Sequence, residues 1–162
     1  MNIFYLDKDP VKAAQVQYNK HVVKMILESA QMLCTAHHVL DNRVRLLDEI
    51  PYKITHVNHP STKWVRTNNR NYMWLYQHMM ALGEEYTKRY GKKHLTITKC
   101  EDVLKKPPAL LKDALYGDPI DMPQCMPDEY KDECSVKAYW NYYIGEKHTV
   151  ANPKTEKIYE AL

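Results

Sequence analysis

Apolar residues recur at helical spacing through much of this chain, and the longest such stretch runs from Tyr18 to Leu40. At about 100° per residue, one wide face of the predicted helix collects most of its apolar side chains: Val22, Val23, Ile26, Leu27, Ala30, Leu33 and Cys34. Upstream, Asp9 suits the N-cap position and Pro10 suits the first helical position, so we expect the helix to start there. A bend near Asn19 is compatible with the more polar first turns. Apolar side chains cover most of the surface of this helix, which predicts a position inside a bundle.

A narrower arc of about 80° on the same helix carries its polar side chains: His21, Lys24, Glu28, Gln31 and Thr35. Inside a bundle this stripe would line a cleft, where burial shifts the pKa of ionisable groups and so marks candidate sites. His21, Lys24 and Glu28 are therefore candidate catalytic residues. The alternative is a solvated face on which Lys24 and Glu28 form an ordinary i,i+4 pair.

Helical patterns also account for most of the remaining chain. The second amphipathic helix spans 71–90 and ends at Gly91, and shorter helices are predicted at 60–66, 98–106, 109–116, 135–148 and 154–162. Thr98 and Ser135 are expected to cap two of them. Met1–Leu6 would be either one extended strand or chain packed across the bundle. The pattern predicts an all-α protein: one domain over residues 1–162, a single compact bundle of five to seven helices around one long central helix.

Composition narrows the class of protein. Hydrophobic residues make up 44% and charged residues 27%, which is typical of a globular domain, and the net charge of +3 is compatible with a polyanionic partner without indicating one. Four cysteines show no CxxC spacing, the start of the chain does not resemble a signal peptide, and no apolar run reaches the roughly 20 residues of a membrane span. We expect a soluble intracellular protein with free thiols and no membrane association.

Two histidines, His56 and His59, lie at a chain turn before a proline. A metal site completed by His37, His38 and Asp7 is one interpretation, but an HxxH pair without a nearby glutamate or cysteine spacing is a weak signal. We favour contacts of His56 and His59 with phosphate or with the turn backbone. We therefore predict neither a metal nor a cofactor.

The stretch STKWVRTNNRNYMW interleaves cations with aromatic residues. Lys63, Arg66 and Arg70 are candidates for phosphate contacts and Trp64 for base stacking. Arg66 and Arg70 are four residues apart, so we expect them on one helical face. The segment predicts a nucleic-acid contact, and the alternative is a bundle helix with a polar outer side.

The stretch AYWNYYIGEKH is unusually rich in aromatic residues: Tyr139, Trp140, Tyr142 and Tyr143 fall within five positions. One helix face cannot bury four such residues. We therefore expect some of them to stack on something outside the core.

The segments MNIFYLDKDP, KHVVKMILESAQML, YKITHVNHPSTKW, EEYTKRYGKKH and MPDEY carry a resemblance that runs over most of the chain. The chain resembles small phage-encoded helical proteins that are sometimes labelled pyrimidine dimer DNA glycosylases. The resemblance implies a compact all-α fold that bends duplex DNA and extrudes a base, in the cytoplasm of an infected host cell. It also implies that DNA is the partner.

The resemblance implies roles for particular residues as well. Glu28 would take the place of the catalytic carboxylate, and the aromatic segment with Lys147 would contact DNA at the lesion through Tyr139, Trp140, Tyr142 and Tyr143. The nucleophile of those glycosylases is an N-terminal amine on a small residue exposed by loss of methionine, whereas residue 2 here is Asn2. Either Met1 supplies the amine, or Lys24 substitutes for it, or the lyase step is absent.

Two functions of other classes also fit the sequence. One is a non-catalytic helical module that binds nucleic acid or a host protein, with the polar stripe as a recognition surface. The other is a pocket for a nucleotide-like ligand, with histidine and arginine on phosphate and tyrosine on the base.

Overall fold

The computed structural model describes residues 1–41, 47–111 and 121–150. Within them lie six α-helices and no β-strand: α1 Pro10–Gln15, α2 Asn19–Leu40, α3 Pro60–Val65, α4 Asn69–Tyr90, α5 Leu95–Cys100 and α6 Ser135–Gly145. Two 3₁₀ turns, Asp128–Tyr130 and Lys147–Val150, flank α6. The all-α prediction is confirmed. The helices predicted at 109–116 and 154–162 lie largely or wholly outside the described residues.

The bundle is built around two helices of 22 residues, α2 and α4, which pack against each other. Helix α1 lies against α4, and α3 and α5 both lie against α2. One hydrophobic core takes side chains from these helices and from α6. The long helix that we predicted at the centre thus has a partner of equal length.

The start of the long helix differs from the prediction. Asp9 caps α1 as expected, because its Oδ1 accepts from two backbone N–H groups of the first turn. The helix does not continue from Pro10, however, since Tyr18 takes an extended conformation between α1 and α2. The Tyr18 N–H donates to Tyr143 Oη at 2.7 Å. A tertiary partner thereby replaces the hydrogen bond that a continuous helix would have made.

The faces of α2 are also only partly as predicted. Val23 and Leu27, which we placed on the apolar face, are each 37% exposed. His21, which we placed on the polar face, is 7% exposed. The reason is that the N-terminal chain covers this side of the helix, where the ring of Phe4 stacks on the His21 imidazole at a centroid distance of 4.5 Å.

A side-chain cap separates α3 from α4. Asn68 Oδ1 accepts from the Asn71 N–H at 2.9 Å and so starts α4. Asparagine favours this position because its side chain satisfies a free N–H of the first turn. Arg66 ends α3 and Arg70 belongs to α4, so the prediction that they share one helical face is wrong.

Two other helix starts are shifted from their predicted positions. Helix α5 is capped by His94, whose Nδ1 accepts from the Thr96 N–H at 3.1 Å, and not by Thr98. Ser135 is the first residue of α6, and its hydroxyl donates to the Met122 carbonyl at 3.0 Å instead of capping the helix.

The first residues form a chain that packs across the bundle, which is one of the two forms we predicted. Ile3 to Leu6 are all buried, although no strand pairs with them. Tryptophan side chains satisfy part of their backbone: Trp140 Nε1 donates to the Leu6 carbonyl, and Trp74 Nε1 donates to the Lys8 carbonyl, both at 2.8 Å. The indole N–H groups thus satisfy backbone carbonyl groups that would otherwise need a neighbouring strand as their partner.

Beneath α1 lies a buried histidine with two hydrogen bonds. His78 Nδ1 lies 2.9 Å from the Pro10 carbonyl, which can only accept, so Nδ1 carries the proton. Its Nε2 then accepts from the Gln17 amide at 3.1 Å. These two hydrogen bonds require a neutral imidazole. Burial lowers the pKa of His78 to about 4, which favours that form.

His78 should make stability depend on pH. Its pKa is about 4 in the folded state against 6.5 unfolded, so the unfolded state binds more protons within this window and stability falls as pH falls. The expected slope is about 1.4 kcal/mol per pH unit. Urea unfolding of His78→Asn across the window should show a slope shallower by that amount, whereas the exposed control His148→Asn should not. Equal slopes for His78→Asn and the wild type would contradict the prediction.

Arg89 joins α4 to the break between α1 and α2. Its Nη1 donates to the Gln17 carbonyl at 2.7 Å and to Asn19 Oδ1 at 3.0 Å, and its Nη2 donates to the Gln15 carbonyl at 3.0 Å. Its Nε donates to Glu85 Oε2 at 3.0 Å. One guanidinium thus serves carbonyl groups that the interrupted helix leaves without helical partners.

We expect Arg89→Met to lower the free energy of unfolding by about 2 kcal/mol, because the carbonyl of the buried residue Gln17 loses a charged donor. The neighbouring exposed Lys88→Met is the control and should change it by less than about 0.5 kcal/mol. Urea denaturation measures both, and equal values would show that these bonds add no stability.

Candidate active site

Glu28 lies at the centre of the candidate site, on the third turn of α2. Its side chain is 13% exposed and stands between two cationic groups. Oε2 accepts from the Asn2 N–H at 3.1 Å and lies 3.9 Å from the Met1 α-nitrogen. Oε1 lies 3.4 Å from Lys24 Nζ, whose side chain is 68% exposed. The carboxylate is thus held firmly on the inner side and loosely on the solvent side.

The solvent exposure of Met1 comes mainly from its backbone. The Met1 side chain is 3% exposed, while the residue as a whole is half-buried. The α-nitrogen belongs to this backbone and lies 3.9 Å from the Glu28 carboxylate.

Asn2 holds this start of the chain in place. Its Oδ1 accepts from the backbone N–H groups of Ile3 at 2.7 Å and Phe4 at 3.0 Å. Its Nδ2 donates to the Cys125 carbonyl at 3.1 Å. Phe4 takes the left-handed conformation with a φ of 57°, which costs a side-chain-bearing residue on the order of 1 kcal/mol.

The turn that carries the two histidines is fixed to α2. The hydroxyl of Thr35 donates to the Thr55 carbonyl and accepts from the Thr55 N–H, both at 3.1 Å. His56 follows with a φ of 48°, and its Nδ1 bonds the Thr55 hydroxyl at 2.8 Å. His59 caps α3 through Nδ1, which accepts from the Ser61 N–H at 3.1 Å. The proton of a neutral His59 is therefore on Nε2.

His59 belongs to the same electrostatic environment as Glu28. Burial lowers the pKa of His59, the positive charges of the N-terminus and His56 lower it further, and the Glu28 carboxylate opposes them. The charges of His56, Glu28 and the N-terminus thus act on the His59 imidazole. Lys24 joins them through its contact with Glu28.

Residues that the sequence did not indicate complete the inner wall of the site. Cys125 accepts from Asn2 through its carbonyl, and its Sγ lies 3.4 Å from the Ser61 hydroxyl. The Cys125 N–H donates to Tyr139 Oη at 3.3 Å, and Tyr139 donates in turn to the Pro123 carbonyl at 2.6 Å. No local pattern signals this wall, because its members come from distant parts of the chain. For Asn2 a signal existed, since asparagine commonly bonds the backbone two residues on.

His21 forms a second group beside the first. Its Nδ1 lies 2.8 Å from Tyr143 Oη, and Phe4 stacks on its ring. Burial, with the positive charges of Lys147 and Lys24, lowers the pKa of His21 to about 4. The structure thus shows His21 as a buried imidazole in contact with the N-terminal chain, and its predicted catalytic role stays a prediction.

The aromatic side chains that were predicted to stack on DNA are mostly buried in this structure. Trp64, Tyr139 and Tyr143 are buried in the core. Trp140 is half-buried, with its indole N–H bonded to the Leu6 carbonyl. Three of them, Tyr139, Trp140 and Tyr143, belong to α6, where Tyr139 bonds the Pro123 carbonyl and Trp140 and Tyr143 contact the N-terminal chain.

The predicted phosphate-binding cations have separate surroundings. Lys63 is exposed, whereas Arg66 donates to the Val57 carbonyl at 2.7 Å and has its pKa lowered by burial. Arg70 is half-buried. Lys147 is half-buried and lies 4.9 Å from the centre of an aromatic ring of α6. Lys63 and Lys24 are thus exposed cations, whereas Arg66 is bonded to the backbone.

The fold and site define a helical protein with a half-buried carboxylate beside an amine. The family model for pyrimidine dimer DNA glycosylase matches residues 1–98, more than half of the chain. The chain belongs to the pyrimidine dimer DNA glycosylase family, which implies a DNA substrate. No curated protein and no solved structure matches it.

Among the residues that the structure describes, no three histidine, cysteine or acidic side chains cluster in a way that would hold a metal ion. The helices of that part of the chain include none with the length and apolar character of a bilayer span.

The Tyr143 hydroxyl links α6 to the start of α2, since it accepts from the Tyr18 N–H and bonds His21. We expect Tyr143→Phe to lower the free energy of unfolding by about 1–3 kcal/mol, because the buried Tyr18 N–H is left without this acceptor. Tyr142→Phe, on the same helix, is the matched control and should cost much less. The prediction fails if thermal unfolding shows equal losses for the two variants.

Proposed function

We propose that this protein is a DNA glycosylase with lyase activity that acts on pyrimidine dimers in duplex DNA. The observation that carries the proposal is the Glu28 carboxylate, half-buried and 3.9 Å from the Met1 α-nitrogen. A paired amine and carboxylate are what attack at a sugar carbon requires. Membership of the glycosylase family supports DNA as the substrate.

In the proposed reaction, the lone pair of the neutral amine forms a bond to C1′ of the damaged nucleotide. The bond from C1′ to the base breaks, and its electron pair leaves with the base, which takes up a proton. The attacking nitrogen loses a proton to Glu28. The bond from C1′ to O4′ then breaks, O4′ takes up a proton, and an imine remains between C1′ and the nitrogen. Glu28 also stabilises the cationic character that develops at C1′.

We assign the nucleophile to the amine of Met1 and not to Lys24. The chain next to Met1 is fixed by the Asn2 N–H bond to Glu28. Lys24 is a long, largely exposed side chain on the solvent side of the carboxylate. A fixed amine is favoured because the reacting atoms must be held in line. In this proposal Lys24 contacts a phosphate.

The histidine turn supplies a neutral donor beside the same carboxylate. The Nδ1 of His59 is occupied by the Ser61 N–H, so Nε2–H is free to donate to a phosphate or sugar oxygen. We propose this role for His59, with His56 next to it. Lys63 and Lys147 would contact phosphates on either side of the extruded nucleotide.

Borohydride trapping tests the proposal, because borohydride reduces the imine to a stable amine. Wild-type protein should form a covalent adduct with an abasic duplex and break the glycosidic bond of one base in a dimer-containing duplex, the base staying attached to its dimer partner. Glu28→Gln should bind DNA normally but lower the rate of glycosidic-bond cleavage by about 100-fold or more. Peptide mapping should locate the adduct on Met1, and a Gly-Ser extension before Met1 should abolish it.

Glu84→Gln is the matched control, since Glu84 is an exposed glutamate on the other long helix. It should behave as wild type. The proposal is overturned if neither duplex yields an adduct and Glu28→Gln equals wild type. Salt-dependent DNA binding without an adduct would then support the non-catalytic binding module, and an adduct on Lys24 would move the nucleophile to that residue.

A further inference from the structure

We propose that Asn2 is a positioning residue that holds the amine of Met1 against Glu28. The inference takes its catalytic meaning from the proposed function, but its geometry stands on separate contacts. Asn2 is the residue through which the first part of the chain reaches both α2 and the 121–127 segment. Its backbone N–H and both ends of its side-chain amide have partners.

Both ends of the Asn2 amide are used. The carbonyl oxygen accepts from the backbone N–H groups of Ile3 and Phe4, which folds the chain tightly around the side chain. The amide nitrogen donates to the Cys125 carbonyl. A side chain with an acceptor and a donor at this spacing is needed, and asparagine supplies both.

This arrangement sets the direction of the chain before and after Asn2. Phe4 is held in a left-handed conformation and its ring lies on His21. On the other side, the Asn2 N–H points at Glu28 Oε2, which leaves the Met1 nitrogen 3.9 Å from the same oxygen. Without the side-chain bonds, the turn at Phe4 would relax and the amine would lose its fixed place.

The Cys125 backbone, which accepts from Asn2, is itself fixed by α6. The Cys125 N–H is bound by the Tyr139 hydroxyl, and Tyr139 is buried in α6. The position of the amine is therefore set by α6 through Tyr139, Cys125 and Asn2. This gives the buried aromatic segment a function at the site without any contact with DNA.

The test uses Asn2→Leu and Asn2→Asp, because both residues match asparagine in size and neither favours removal of Met1. Asn2→Leu loses every side-chain bond, whereas Asn2→Asp keeps the acceptor for Ile3 and Phe4 but cannot donate to Cys125. With saturating abasic duplex, Asn2→Leu should lower the trapping rate about 100-fold, and Asn2→Asp should fall between it and wild type. DNA affinity should stay unchanged, and the share of adduct on Lys24 should rise.

Asn141→Leu is the control, since Asn141 is exposed and its amide also donates to a backbone carbonyl, that of Tyr130. It should trap at the wild-type rate. A second measurement needs no DNA: acylation by limiting acetic anhydride, with the share on Met1 and on Lys24 read by mass spectrometry. Asn2→Leu should raise the share on Met1 several-fold, because the amine is released from Glu28.

The outcomes separate the two proposals. If wild type forms no adduct but the acylation of Met1 depends on Asn2, the proposed function fails and the positioning inference stands. If wild type forms an adduct and Asn2→Leu traps at the same rate and position, the positioning inference is overturned. It is also overturned if Asn2→Leu and wild type are acylated alike.

Discussion

The hydrogen bond from the Asn2 N–H to Glu28 is the contact on which the rest of the site depends. It fixes the beginning of the chain to the long helix α2, at a carboxylate that is largely withdrawn from water. The segment that follows crosses the bundle and accepts hydrogen bonds from two tryptophan indoles. Core and site are therefore built from the same few residues, and neither is complete without the N-terminal chain.

Polar side chains satisfy backbone groups that a more regular bundle would pair with other backbone groups. Arg89 binds the carbonyl groups at the break before α2, and His78 with Gln17 joins the start of α1 to α4. Tyr143 takes the N–H of Tyr18. A buried polar group that is left unpaired lowers stability, so the chain favours the arrangement in which each group has its partner. These side chains therefore fix where each helix begins.

Backbone strain is found next to the carboxylate. Phe4 and His56 both take positive φ angles, and they lie on the two segments that approach α2 from different sides. Contacts with neighbouring residues hold each of them in this conformation. Asn2 bonds the Phe4 N–H and the His21 ring stacks on Phe4, while the Thr55 hydroxyl bonds the His56 ring. Strain held in this way is commonly associated with sites where geometry must be fixed before a ligand arrives.

The sequence alone determined the helical class, the Asp9 cap and the end of α4 at Gly91, because these follow from local spacing and residue type. It misplaced several side chains of α2 and did not predict that Trp64, Tyr139 and Tyr143 are buried. Helical periodicity reports which residues share a face, but it does not report which segment covers that face. Only the tertiary structure decided that the first six residues lie over α2. Asn2, Ser61 and Cys125, separated by up to 123 residues in sequence, meet there through contacts that no local pattern encodes.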